Sequence, residues 1–331
     1  MKDEPWGQRD ERGEWQPDEL PRPSPLFTWP WRPRAILRYL FAPVGLLWPY
    51  NLALVILALL TWRFLTPGAA QTRHLALGWI ALIYLRDAAL VTLVAGGLHL
   101  RLYATRGQGL RFKYSDRWQA RDDPRFLFHS QVWDNVFWSL GSGCLLWTAW
   151  EALTLWLFSN GKIPWLDWRA HPVYFALMFP GFFMLRQVHF FFLHWLMHWR
   201  PLYRISHYVH HKNVNVGPWS GLSMNPIEHL IYFSAALLNW VIPSHPAHMV
   251  FNLMHAAVLP AVGHSGFHRF TGRGEAGLPN DNYFHYLHHR LFTVNYGNDA
   301  FPLDVWFGTF YDNSPEARAA LAAKRRGTPR E

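Results

Sequence analysis

Long apolar runs alternate along the chain with short basic connections, and their lengths predict helices. Between Arg38 and Arg63 lie 24 residues, Tyr39 to Trp62, without a charge. A helix needs about 20 apolar residues to cross the hydrocarbon of a bilayer. A second run, Ala76 to Leu98, carries Arg86 and Asp87 near its middle, and a third, Asn135 to Phe158, contains only Glu151. A fourth begins at Pro172 and passes Arg186 into a histidine-rich stretch. From His229 to His268 there are 40 residues with no Asp, Glu, Lys or Arg, broken at Pro243, Pro246 and Pro260. The arms of that stretch are short for upright spans, so a re-entrant helical hairpin is at least as good a reading as two crossings. Either returns the chain to the face it left. The pattern predicts an all-α integral membrane helical bundle of about four transmembrane helices plus a re-entrant or short helical hairpin, with a cytosolic His-rich helical cap.

Composition agrees. Hydrophobic residues make up 50% and charged residues 16%, well below the roughly 25% charge of soluble domains, which excludes a disordered chain. The net charge of +9 suits nucleic acid or an anionic membrane surface; the apolar runs decide for the membrane, and no nucleic-acid partner is expected. The single cysteine, Cys144, excludes an internal disulfide. Lys and Arg concentrate in the arm up to Arg38 and in the loop from Arg101 to Arg125, seven in each, which predicts both on the cytoplasmic side. Residues 1–35 lack the features of a signal peptide and read as a cytosolic, Pro-rich, basic arm. Residues 36–171 hold the first three spans, 172–312 the histidines, and 313–331 a basic, Ala-rich tail with no assigned function. Charges inside spans are costly unless paired or facing a wet cavity, and a structural pair between Arg186 and Asp87 is expected ahead of a head-group role. The aromatic residues Phe190, Phe191, Phe192, Trp195 and Trp199 are expected to anchor the interface and fill the core.

Of 19 histidines, 15 fall between His189 and His289. They are ordered: His194 and His198 form HxxxH, His207, His210 and His211 form HxxHH, His264 and His268 form HxxxH, and His285, His288 and His289 form a second HxxHH. Residues three and four apart share a helix face, so each cluster is expected to act as a small claw aimed at one point. Converging neutral imidazoles have a metal ion as their usual target. Ten candidate ligands exceed what one ion uses, so two ions are expected. Spacing alone leaves Zn, Cu, Fe and Ni open.

The blocks HWLMHWRPLYRISHYVHH (His194 to His211), NPIEH (Asn225 to His229), HSGFH (His264 to His268) and HYLHHRLFTVNYGNDAFPLDVWFGTF (His285 to Phe310) resemble, in that order, the fatty acid hydroxylase superfamily, also called the sterol desaturase family, of membrane di-iron oxygenases. The likeness covers residues 172–312. It implies a cytosol-facing centre of two iron ions held by His194, His198, His207, His210, His211, His264, His268, His285, His288 and His289, with O2 as co-substrate and a membrane lipid as substrate. Zinc can take the same ligands in a purified sample. His189 stands where other members often have an acidic residue and is expected to orient a ligand or to be structural. No haem-binding HPGG-type segment occurs, so electrons are expected from a separate donor, ferredoxin-like or a small haem protein with its reductase. The chain looks like a bacterial inner-membrane member with the N-terminus and histidines on the cytoplasmic side. The run Lys212 to Ser234 is similar to the branch containing ornithine-lipid hydroxylases. Sterol, carotenoid and fatty-acyl oxidation or desaturation, and ether-lipid cleavage, stay open within the same chemistry.

Attack on an unactivated C–H bond needs a redox-active metal, and zinc has no accessible redox step. Ligating histidines also need partners for the second ring nitrogen, and Glu228, His229, Asp281, Asn282 and Asn295 are the candidates beside His189. Two other classes predict different features. A membrane zinc hydrolase would carry a helical HExxH, which is absent, and a metal transporter would spread its ligands along a transmembrane path, whereas these follow the fourth apolar run.

Overall fold

Prolines decide where the first apolar run becomes helix. In the computed structural model, which describes residues 6–42, 45–272, 277–280, 282–298 and 301–327, that run is split between α1 (Pro33–Phe41) and α2 (Tyr50–Leu65), the latter starting after Pro49. With 16 residues, α2 is about 24 Å long, short of the roughly 30 Å hydrocarbon layer. Among the described residues, the two helices long and apolar enough to cross a membrane are the second and fourth runs, α3 (Leu77–Ala104) and α6 (Pro172–Met197). In the third run, α4 (Gln131–Trp138) passes through a π-turn at Ser139–Gly143 into α5 (Cys144–Ser159).

After α6 the chain reverses through a π-turn, Tyr203–His207, into α7 (Tyr208–His211), and then forms α8 (Pro226–Tyr232) and α9 (Pro246–Gly263). Of the 18 residues of α9, 14 are buried, as expected of a helix apolar on all sides. It packs against α2, α5 and α6 at the centre of the bundle. Pro260, inside α9, has no N–H to offer the carbonyl of Ala256; the hydroxyl of Tyr232 donates to that oxygen instead, at 2.7 Å. Helices α10 (Tyr283–Leu291) and α11 (Pro315–Gly327) follow.

The expected pairing of Arg186 with Asp87 does not form. Arg86 reaches its own neighbour, with Nη2 2.6 Å from Asp87 and 2.6 Å from Glu151 on α5, and Thr148 donates to the other oxygen of Asp87 at 3.1 Å. Adjacent position and a long, flexible stem let Arg86 take both carboxylates of this layer, and Arg186 is left to a different neighbourhood.

The N-terminal arm is folded. Strands β1 (Gly7–Arg9) and β2 (Trp15–Pro17) pair antiparallel. The fully buried Trp15 stands edge-on to Phe112 and rests against Tyr114 and His268. Glu14 accepts the hydroxyl of Tyr286 and pairs with Arg290 at 3.1 Å, so the hairpin braces α10. A second small pair, β3 (Arg269–Phe270) with β4 (Leu278–Pro279), lies between α9 and α10.

Candidate metal centre

Five segments deliver the histidines. The last turn of α6 carries His194, and His198 caps it; the π-turn ends on His207; α7 supplies His210 and His211; His264 caps α9; and α10 supplies His285, His288 and His289. They assemble into two adjoining groups: His194, His198, His207, His211 and His288, and His210, His264, His285 and His289, with ligand atoms inside each group within 4.8 Å of one another. In the first group Nε2 contacts are 3.1 Å for His194 to His207, 3.1 Å for His207 to His198, 3.2 Å for His198 to His288 and 3.0 Å for His288 to His211. In the second, Nε2 of His264 lies 3.4, 3.1 and 3.0 Å from Nε2 of His210, His289 and His285.

The other ring nitrogens explain these contacts. Nδ1–H of His194 donates to the Tyr296 carbonyl at 2.5 Å, that of His288 to Val294 at 2.6 Å, that of His264 to Pro260 at 2.9 Å and that of His210 to Ser223 at 3.4 Å. Nδ1 of His207 faces Oε1 of Glu228 at 2.7 Å. A neutral imidazole with Nδ1–H committed has only a lone pair at Nε2, so the lone pair of His264 faces three other ring nitrogens. Burial first, then neighbouring imidazoles, hold His207, His210, His211, His285, His288 and His289 well below the ordinary imidazole range. Burial lowers His198 to about 2 and His264 to about 4. Protons therefore do not relieve the crowding, and a cation does. Metal–imidazole bonds of about 2.0–2.1 Å put neighbouring ligand nitrogens about 3.0–3.4 Å apart, which is the spacing observed, so the residues fit one metal ion per group.

Glycine and an Asx cap hold the surroundings. A Cβ at Gly221 would lie 2.4 Å from the Pro260 carbonyl oxygen that receives His264, so only glycine permits that approach. Asn225 caps α8 by accepting from the N–H groups of Ile227 and Glu228, which fixes Glu228 beneath His207. Burial raises the Glu228 carboxyl well above its usual range, and a cation on His207 would draw it back toward the carboxylate.

Several expected residues stand elsewhere. His268 is outside both groups, with Nδ1 3.3 Å from the Tyr114 hydroxyl and its ring against Trp15, because the turn after His264 leaves the helical path that would put the two on one face. His189 meets Ser234 at 2.9 Å, and His229 meets Ser142 at 3.0 Å and the Leu222 carbonyl at 3.2 Å; neither touches a grouped histidine. Asn282 bonds Asn280, and Asn295 clamps the C-terminal loop through Phe284 and Tyr311. Asp281 lies outside the described residues.

A cavity of about 500 Å³ opens beside the centre, lined by His194, His207, His210, His264 and His285, by Arg186, Gln187 and His255, and by residues 19–25 of the arm. Phe190, expected as anchor or core, is one of its walls and packs on His194 at 4.9 Å. The sequence reading missed the arm's part in this wall, the carbonyls of Val294 and Tyr296, and Asp304, which accepts from the N–H groups of Tyr296 and Gly297 at 2.8 and 2.7 Å and so holds the loop that receives His194. The available signal for Asp304 was a lone charge in the apolar, aromatic stretch Phe301 to Phe310 that follows the last histidine cluster.

Residues 179–309 match the fatty acid hydroxylase family. A Delta(7)-sterol-C5(6)-desaturase from Nicotiana tabacum is 24% identical over 164 residues, 47% of this chain and 56% of the relative, so the chain spans little more than half of that protein's length. No solved structure matches the chain. Nine converging histidines within the matched stretch, and a desaturase relative with the same likeness, place the segment 179–309 as a fatty acid hydroxylase domain of the fatty acid hydroxylase/sterol desaturase superfamily.

Proposed function

We propose that this chain is an O2-dependent hydroxylase of a membrane lipid, acting at two irons held by the two histidine groups. An ornithine-containing aminolipid is the candidate substrate. The observation that carries the reading is the convergence of nine imidazoles into two adjoining groups; five of the nine, His194, His207, His210, His264 and His285, line one cavity inside a bundle with membrane-length helices. Iron bound there would supply the redox step that imidazoles and zinc lack. In the overall reaction one oxygen atom enters a C–H bond and the other leaves as water, with two electrons and two protons from a separate carrier.

The chain's own residues keep the Nε2 lone pairs of His194, His288, His264, His210 and His207 aimed inward through the Nδ1 bonds to Tyr296, Val294, Pro260, Ser223 and Glu228 respectively. Phe183, Phe190 and Leu259 give the cavity walls that exclude water and receive an acyl chain. The site is assigned to the cytoplasmic face of a bacterial inner membrane, where reduced carriers are available. Desaturation is the second reading, favoured by the tobacco relative.

Lipid mass spectrometry of a host with and without the gene tests both. A lipid that gains one oxygen atom, dependent on O2 and lost in His207→Ala and His288→Ala, is the expected result. A lipid that loses two hydrogens would select desaturation. Full product formation by either variant would remove the histidine groups from the reaction.

A further inference from the structure

Two cations sit within the membrane-length helices away from their ends, and they are treated differently. Arg86 on α3 is neutralised by Asp87 and Glu151. Arg186 on α6, with 7% of its surface exposed, has no carboxylate within ion-pairing distance among the described residues. Its Nη2 donates to Nδ1 of His255 at 2.7 Å. Because guanidinium is an obligate donor, His255 accepts there and is neutral, with Nε2–H passing on to Oδ1 of Asn51 at 2.9 Å. This chain of bonds orients the guanidinium without balancing its charge.

Two unpartnered donors stand on adjacent residues beside the cavity. Nε of Arg186 and Nε2 of the adjacent Gln187, itself 2% exposed, are buried with no hydrogen-bond partner, and both residues line the cavity beside the histidines. The carboxylate nearest the centre, Glu228, is engaged by His207. An unpaired charge at this level is costly unless a ligand completes it, and a buried donor without a protein partner is met by a ligand or by ordered water.

We propose that Arg186 and Gln187 are the recognition point for an anionic group, a carboxylate or a phosphate, on the amphiphile that occupies the cavity. A guanidinium fork binds either oxyanion through parallel N–H bonds, and Gln187 adds a neutral donor. His194 is eight residues further along α6, about 12 Å of helix axis, so an anion held here sets the reacting carbon several bonds away from it. The proposal rests on the reading of the cavity as a lipid site.

The test is retention of radiolabelled oleate and of oleyl alcohol, the same chain without the charge, by the full-length protein in phosphatidylcholine nanodiscs, metal-free and iron-loaded. Wild type is expected to prefer oleate by about tenfold or more. Arg186→Gln should abolish the preference, Arg186→Lys should keep part of it, and Gln187→Leu, which leaves the guanidinium and its His255 bond in place, should reduce it. Equal retention of the two probes by wild type overturns the proposal whatever the variants do. Sodium phosphate competing as well as oleate would assign the donors to a free anion and also overturn it. Preference in the metal-free protein is independent of turnover. Anion selectivity without O2-dependent product sinks the hydroxylase reading and leaves this site standing, whereas product without selectivity does the reverse.

Discussion

His210 and His211 are neighbours in sequence, yet their rings stand 5.7 Å apart at 88° and belong to different histidine groups. Successive residues of a helix diverge by about 100°, so the two cannot serve one ion. The pairs four apart, His194 with His198, His207 with His211 and His285 with His289, each stay within one group, while His210 and His288, three from the first residue of their motifs, cross to the other. Each HxxHH motif is thus divided between the two histidine groups and does not form the single claw that its spacing predicts.

Unequal sharing makes the groups separable. His289→Ala leaves its group three ligands and His198→Ala leaves the other four, so His289→Ala is expected to reduce bound metal from two to about one per chain, and His198→Ala to lose less. Elemental analysis after dialysis reads the stoichiometry. Simultaneous loss of all metal from both variants would mean a single joint site.

Glu228 acts through His207. Removing a partner that orients a metal-bound imidazole lowers metal affinity by about 10–100-fold. Glu228→Gln keeps an acceptor for Nδ1–H and should sit at the mild end, with Glu228→Ala at the severe end. Competition with a chelator measures both, and equal affinities for wild type and Glu228→Ala would show that the 2.7 Å contact has no influence on the metal.

How far the site could be read beforehand follows from which atoms do the work. Imidazoles must come from histidine at helical offsets, so the nine gathered histidines are visible in the spacing. The acceptors that orient them are mostly main-chain carbonyls, as at Val294, Tyr296, Ser223 and Pro260, and every residue has one, so no letter marks them. The apolar runs announced the helices, but their limits depended on Pro49 and on the π-turns, which periodicity does not register. The arm is legible only as a Pro-rich basic segment, because three-residue strands have no pattern to detect and nothing in the spacing marks Trp15 as a buried anchor. His268 was misplaced for the converse reason: HxxxH spacing means a shared face only while the helix continues, and α9 ends at Gly263.

Arg86, Asp87 and Glu151 form a buried set with one cation for two carboxylates. Arg86→Met strands both acids and is expected to destabilise by about 3–5 kcal/mol. Asp87→Asn retains an acceptor for the guanidinium and turns its amide toward Thr148, a change of ~1 kcal/mol. None of the three lines the cavity, so product formed per folded molecule should match wild type. Thermal unfolding in detergent ranks the variants, and an Arg86→Met protein as stable as wild type would deny the set any structural weight.

Lys113 offers a test in pH. It is fully buried, and its ammonium donates to the carbonyls of Ser115 at 2.9 Å and Arg117 at 2.7 Å. Burial nevertheless pushes its value down to about 7 from 10.5, with the charge of Arg9 adding to the fall and Glu14 and Asp116 opposing it. Between those limits the unfolded chain holds the proton more tightly than the folded one, so stability attributable to Lys113 rises with pH, by at most ~1.4 kcal/mol per pH unit for one proton. Below the folded value the penalty is at its full size. Thermal unfolding at about pH 7.5 and about pH 9.5, compared with Lys113→Met, isolates this contribution from other titrating groups. Wild type should gain more over the interval than the variant. Equal gains would mean that the carbonyl oxygens around Nζ fully replace its lost hydration.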